Sequence, residues 1–291
     1  MAKPQTRPQN RPPAKKGSAK GAPVNPRQAK LDAARKARST GPNKIVIGTV
    51  VAVIAIVAVV AGVIVNSESN KSKVNQGGKA LPAGVSAMGA GWVANQGVTL
   101  TSRAPTVSVF EDFRCPVCKT LEGAFGDTIE QAATAGKIKV VFHFKTVIDG
   151  NLGSDNSQTA ASNALCAADQ GAFWKYHDAL YANQPKEGTL FTKADFTTYA
   201  EQAGINGAKL TAFQACVDAG KYMNYVKSTE DASFKAGISG TPAFYINGQS
   251  VKWQAFAGAE GQPDTAAFEK AITTGTLTAA QKDTSLPKVS D

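Results

Sequence analysis

Cys115 and Cys118 enclose Pro116 and Val117, and this spacing holds two thiols within reach of each other by local structure alone. In a Cys-x-x-Cys segment both sulfurs fall on the same side of one helical turn, near enough to close a small strained ring that forms and breaks readily. The flanking residues say where the pair sits. Thr106 to Phe113 alternates Val107 and Val109 with Ser108 in the manner of a strand and ends in Glu111-Asp112-Phe113. After the pair, Val117, Leu121, Ala124, Phe125, Ile129 and Ala132 recur at three- and four-residue intervals, which predicts a helix with possible kinks at Gly123 and Gly126. Cys115 then lies at a helix N-terminus, where unpaired N–H groups and the helix dipole favour the thiolate, the attacking species in disulfide exchange. Pro116 suits the first helical turn because its missing N–H is no loss there. Cys118, set deeper, resolves a mixed disulfide by attacking Cys115. Two other uses of the pair compete with exchange. A zinc site needs more ligands at such spacing, whereas Cys166 and Cys216 are singletons. A purely structural bridge is the other, although so short a loop removes little unfolded-state entropy.

Composition locates this chemistry. The chain has 291 residues, 43% of them apolar and 19% charged, which suits a protein with a real core. Its net charge of +10 is unevenly spread: residues 1–44 hold twelve Lys or Arg against one acid, Asp32, so the remainder is about neutral. The basic stretch is Pro-rich and poor in aliphatics, so it reads as a solvated tail and not as a nucleic-acid-binding domain. Ile45 to Val65 follows, 21 residues without a charge, enough to span about 30 Å of hydrocarbon as a helix. The bias of Lys and Arg to its N-terminal side predicts a single-pass cell-membrane anchor, with residues 1–44 in the cytoplasm and the rest extracytoplasmic. A cleaved signal peptide is the competing reading, but its apolar core is normally shorter and no clear Ala-x-Ala site follows Val65. All four cysteines then fall where disulfides persist, and their even number is consistent with two pairs.

The expected organisation is a disordered tail over 1–44, a transmembrane helix over 45–65, a linker over 66–103 and a folded domain over 104–284. Asn66 to about Gly91 is polar and Gly-rich, a flexible spacer, and Trp92 to Leu100 is a candidate edge strand. Ile138 to Phe144 reads as a strand ended by Gly150-Asn151-Leu152-Gly153. A helical block over about 154–234 includes a candidate capping box, Thr192-Lys193-Ala194-Asp195. Pro242 to Ile246 and Gln249 to Trp253 flank the hairpin signal Asn247-Gly248, and a helix over Asp264 to Thr273 closes the domain.

This order resembles an α/β thioredoxin-like fold with an inserted helical domain, as in the DsbA-like thiol:disulfide oxidoreductases, and in particular their membrane-anchored actinobacterial type. The likeness covers about residues 104–275. It is carried by Val109 to Lys119 around the cysteines, by Phe173-Trp174-Lys175-Tyr176-His177-Asp178-Ala179-Leu180-Tyr181, and by Gly237-Ile238-Ser239-Gly240-Thr241-Pro242-Ala243-Phe244. The resemblance implies a cis bond between Thr241 and Pro242 beside the dithiol, leaving the Thr241 backbone free to pair with an extended substrate; an ordinary trans turn is the alternative. It implies an oxidase passing its disulfide to reduced exported proteins, and a quinone-linked membrane partner, DsbB-like or VKOR-like, that reoxidises it. The exchange itself requires no organic cofactor. A reductase or isomerase kept reduced by a membrane donor, and a non-catalytic binding module on the same fold, are the rivals. A bridge between Cys166 and Cys216 would close a loop worth roughly 4 kcal/mol in the chain-entropy model and reads as structural, with a regulatory or second catalytic pair as the alternative.

The chain also departs from that family. Val117 stands where the best-known oxidases often carry His, so Arg114 and Lys119 are expected to supply part of the positive charge. Val109 occupies the position, six before the first cysteine, where a buried carboxylate is common. Either Glu111 or Asp112 then relays a proton for Cys118, or both are solvated acids at a strand end. His143 shares a strand face with Lys139 and Lys145 and reads as exposed or capping; His177, after Trp174 and Tyr176, reads as packing or surface.

Overall fold

The computed structural model describes residues 78–186, 188–258 and 261–289. The basic tail, the apolar span and the first part of the linker lie outside the described residues. Among those described, no helix is long and apolar enough to cross a membrane.

A five-stranded sheet organises the domain in the order β1-β3-β2-β4-β5, with β1 Trp92–Val93, β2 Thr106–Glu111, β3 Lys139–Phe144, β4 Ala243–Ile246 and β5 Gln249–Ser250. Only β2 and β3 run parallel. They are joined by helix α1, Pro116–Thr134, as parallel neighbours require a crossover. The register sets Val109 beside Phe142 on one side and Phe244 on the other, and Glu111 beside Phe144. Side chains alternate along a strand, so Glu111 points to the same face as Val107 and Val109. From Val107 to Glu111 every residue of β2 is buried, as expected of a strand covered on both faces.

Helix α1 packs Leu121, Phe125 and Ile129 onto that face. It runs as one helix through Gly123 and Gly126, as the periodicity predicts. After β3 the chain turns directly into a short helix α2, Val147–Leu152, so the glycine-flanked segment expected to be a break is mostly helical and only Gly153 is left-handed. The helical block is α3 Asn156–Ala168, α4 Phe173–Ala182, α5 Lys193–Gln202, α6 Ala208–Asp218 and α7 Met223–Lys235. Small residues let α3 be buried almost throughout, with Ala160, Ala161, Ala164 and Ala167 at its contacts. Thr192 and Asp195 form the expected capping box at the start of α5, each accepting from the other's backbone N–H. Cys166 of α3 and Cys216 of α6 are joined by a disulfide with Cα atoms 5.9 Å apart. Helix α8, Thr265–Thr274, capped by Asp264, stacks Phe268 on Phe125 at 4.1 Å.

Three expectations change here. β1 is short because the Asn95 side chain replaces strand pairing: it donates to the carbonyls of Ala133 and Ile138 and accepts from Val140 N–H. β5 ends at Ser250, after which Val251 bridges Lys282 and Trp253 enters a 3₁₀ turn, so the second arm of the hairpin is cut short by the returning C-terminal segment. The spacer is docked along its described part. Gly89 N–H donates to Ser228 Oγ, Tyr225 Oη donates to Ala90 O and Asn224 donates to Gly78 O, all on α7, while Leu81 and Val85 pack against the core.

Candidate redox site

Cys115 is the N-cap of α1, with an extended backbone at φ −76° and ψ 119°, and Pro116 follows as the first helical residue. Both cysteines are free thiols, and Cys115 is the more accessible, at 6% exposed against 1% for Cys118. The environment separates the two chemically. The Cys118 thiol, donating to the Cys115 sulfur, does most to lower the Cys115 pKa; burial opposes it; the Thr241 side chain and the N–H groups of Cys118 and Val117 add to the lowering, for a value of about 6. Cys118 is pushed well above the ordinary thiol range, first by burial, then by Cys115 and by the charge of Glu111. One sulfur is thus a thiolate at neutral pH and the other a thiol.

Thr241 approaches from the segment before β4. The Cys115 Sγ lies 3.6 Å from the Thr241 carbonyl, and the bond from Thr241 to Pro242 is cis. The two positive side chains expected to offset the lack of a histidine each bond to the helical block. Arg114 is buried, and its guanidinium donates to Asn156 Oδ1 at 3.2 Å and to the Thr189 carbonyl. Lys119 Nζ donates to Ala182 O at 3.2 Å. Both side chains tie the cysteine turn to the helical block. Gln184, unsuspected in the sequence, does the same by donating to the carbonyls of Phe113 and Cys115 at 2.8 and 3.0 Å. No local pattern could have marked it, since its partners lie about 70 residues earlier.

Neither acid at the end of β2 is solvated. Asp112 is fully buried, with Oδ1 accepting from Arg114 N–H at 2.8 Å and Oδ2 from Ile148 N–H at 2.9 Å. Burial outweighs those bonds and lifts its pKa to about 8. Glu111, 1% exposed, faces His177 Nε2 at 3.0 and 3.2 Å. His177 is held among Phe113, Phe142, Phe173 and Tyr181, so the packing alternative applies and the surface one does not. Burial lowers its pKa, but Glu111, Asp178 and Glu122 outweigh this and keep it well above the usual histidine range. His143 is neither exposed nor a cap: it stacks on Phe110 at 4.1 Å, and burial, with Lys145 nearby, lowers its pKa to about 4. Gly91 leaves room for that ring, since a Cβ there would come within 2.7 Å of it. Lys145 is itself buried against Glu230 and the Ile238 carbonyl, so the strand face it shares with His143 is not open to solvent there.

A family model described as thioredoxin matches residues 101–274. Among curated proteins, the Na(+)/H(+) antiporter NhaA 3 of Salinispora tropica is 30% identical over 144 residues, 50% of this chain and 20% of that one. The probable disulfide bond formation protein D of Bacillus cereus is 25% identical over 166 residues, 56% of this chain and 70% of that one. The chain therefore spans only about a fifth of the antiporter and just over two thirds of the second relative. Among solved structures, the reduced form of the disulfide bond oxidoreductase DsbG from Mycobacterium tuberculosis matches with a TM-score of 0.51 and 25% identity, covering 68% of this chain and 93% of that one. With the family model spanning more than half of its length, and a helical insertion set into the α/β core, the chain belongs to the thioredoxin family.

Proposed function

We propose that this chain is a DsbA-like thiol:disulfide oxidoreductase that introduces disulfides into reduced, newly exported proteins through Cys115 and Cys118. The observation that carries the reading is the division of the dithiol into a thiolate that is the more exposed sulfur and a fully buried thiol. A substrate thiolate attacks Cys115 Sγ of the oxidised pair, and Cys118 departs; a second substrate thiolate then releases Cys115. Linkage supports the oxidising direction. A Cys115 pKa of about 6 in place of 9 stabilises the reduced form at pH 7 by about 1.4 kcal/mol, or about 30 mV. The names of the Bacillus relative and of the mycobacterial structure support the same chemistry.

Thr241, whose backbone lies beside Cys115, is the proposed contact for an extended client chain, with Pro242 shaping that surface. Cys166 and Cys216 are assigned a structural role. The apolar run Ile45 to Val65 is proposed as a single-pass membrane anchor, uncleaved, with the dithiol domain extracytoplasmic and a quinone-linked membrane protein as reoxidant.

Acid-quenched thiol trapping in cells tests the direction. An oxidase is found mainly with Cys115 and Cys118 disulfide-bonded and refolds a reduced client in vitro; a mainly reduced pair means a reductase or isomerase, and a Cys115→Ser protein with full cellular function means a binding module. Protease protection of residues 104–284 from the cytoplasmic side tests the topology.

A further inference from the structure

Glu111, Glu122 and His177 reach one point from three elements. Glu111 ends β2, Glu122 lies on α1 one turn beyond Cys118, and His177 sits on α4. One ligand-type atom of each lies within 4.8 Å of the other two, and among the described residues no other three such groups converge. His177 Nε2 stands 3.0 and 3.2 Å from the two Glu111 oxygens. Two ligands bound at about 2.1 Å to one tetrahedral ion stand about 3.4 Å apart, so this pair already has nearly the spacing of two positions around a single metal. Glu122 is half-buried, which gives its side chain room to close on the pair and gives an ion a way in. Gly126, one turn further along α1, leaves space for that carboxylate, since a Cβ there would come within 2.6 Å of Glu122 Oε2.

A second, independent feature belongs to the same pocket. Tyr181, one turn after His177 on α4, is 4% exposed, and its hydroxyl has no hydrogen-bond partner among the described residues. That oxygen is in electrostatic reach of Glu111, Cys118 and Glu122, and its ring packs on His177 at 5.0 Å. A buried oxygen with its lone pairs free, beside two carboxylates and an imidazole nitrogen, completes a set of donors suited to a cation. Phe113, Phe142 and Phe173 wall the imidazole and keep the surroundings apolar. On the opposite edge of the ring, Asp178 Oδ1 lies 3.6 Å from Nδ1, the side from which a carboxylate orients a metal-bound histidine. Charge points the same way. A protonated His177 offers one positive charge to two acids, whereas a divalent ion offers two and lets the ring bind as a neutral group.

We propose that Glu111, Glu122 and His177 form a binding site for a divalent ion of the zinc class, with the Tyr181 hydroxyl turned to its fourth side. The donors set the class. One imidazole nitrogen with two carboxylates suits zinc and its neighbours, whereas calcium takes six to eight oxygens and no imidazole. Both cysteines of the dithiol stay outside the ligand set, so the site stands apart from the exchange reaction and can be filled while Cys115 and Cys118 are joined. The chain has two histidines, and His143 is stacked on Phe110 and hemmed in by Gly91, so an imidazole-bound ion reports on His177.

The test uses the oxidised full chain, in which the dithiol is closed and its sulfurs cannot take a metal as thiolates. Chelator-treated protein is titrated with zinc chloride, and separately with calcium chloride, in a calorimeter. Wild type should bind one zinc ion per chain and prefer it to calcium. Glu122→Gln should weaken zinc binding by more than about tenfold, and Tyr181→Phe by about tenfold. Cobalt(II) in place of zinc should show the visible bands of an ion held by nitrogen and oxygen, without the intense thiolate-to-metal band. If Glu122→Gln does not fold, Tyr181→Phe and the wild-type cobalt spectrum decide the matter. Absence of zinc binding by wild type would overturn the site and leave the three groups as an ion-paired cluster. Equal zinc affinity in wild type and in each folded variant, or a thiolate band with cobalt, would place the metal elsewhere and overturn it too. None of these outcomes bears on disulfide exchange, which is read by thiol trapping.

Discussion

The Cys115 sulfur lies 3.6 Å from the Thr241 carbonyl, and the Thr241 side chain also lowers its pKa, so one residue serves both protonation states of one thiol. As a thiol, Cys115 donates to the carbonyl; as a thiolate, it accepts from the hydroxyl. Thr241→Val keeps the shape and the carbonyl but removes that donor. A hydrogen bond to a charged group contributes about 1.5 kcal/mol, so the variant should need a pH roughly one unit higher for half-ionisation. Thiolate absorbance at 240 nm, or the pH dependence of alkylation, checks this. An unchanged midpoint would leave Cys118 and the helix N–H groups to account for the whole effect.

The split dithiol also shapes the reduction potential. The Cys115 pKa is depressed, so its stabilisation of the reduced form is fully present above the ordinary thiol pKa of 9 and disappears as pH falls through about 6. Below pH 6 two protons accompany two electrons, and above it only one. The potential should therefore fall by about 59 mV per pH unit on the acid side and by about 30 mV per unit on the other. Equilibration with glutathione across this range measures both slopes. A single slope of 59 mV through pH 8 would mean that Cys115 is an ordinary thiol.

Removing the Cys166 and Cys216 bridge with alanines at both positions should cost about 4 kcal/mol in urea unfolding, since the loop it closes has a sequence separation of 50 residues. Because the bridge joins α3 to α6, away from the cysteine turn, client oxidation by folded protein should keep its rate. Loss of that rate with folding intact would assign the bridge a part in the chemistry.

Asp112 has a predictable signature. Its folded-state pKa of about 8 stands above the ordinary 3.8, so between those values the native protein binds the extra proton. The corresponding stability is fully present below pH 4 and is lost as pH rises to about 8. Relative to wild type, reduced Asp112→Asn protein should gain roughly 4 kcal/mol between pH 5 and pH 8, whatever its constant cost from the altered hydrogen bonds to Arg114 and Ile148. Parallel stability curves for the two proteins would show a carboxylate of ordinary acidity.

Features coded by near neighbours were legible in the sequence. The strand before Cys115, the helix after it, the capping box at Thr192 and the hairpin turn at Asn247 each depend on residues a few positions apart. What escaped depends on distant partners. Glu111 and His177 are 66 residues apart, and nothing around either marks it as buried. Lys145 and His143 looked solvated because strand alternation with lysine suggests an open face, whereas α7 brings Glu230 to Lys145 and β2 brings Phe110 to His143. The polar, Gly-rich residues 78–91 looked like free chain because their partners on α7 follow some 135 positions later.

Docking of residues 78–91 onto α7 shortens the tether that the proposed anchor would leave free. With the apolar run ending at Val65, only Asn66 to Gly77 separate it from the folded body, and twelve residues extend at most about 43 Å. With the proposed anchor in a bilayer, that reach would hold Cys115 near the membrane surface, where exported chains would emerge and an embedded reoxidant would lie.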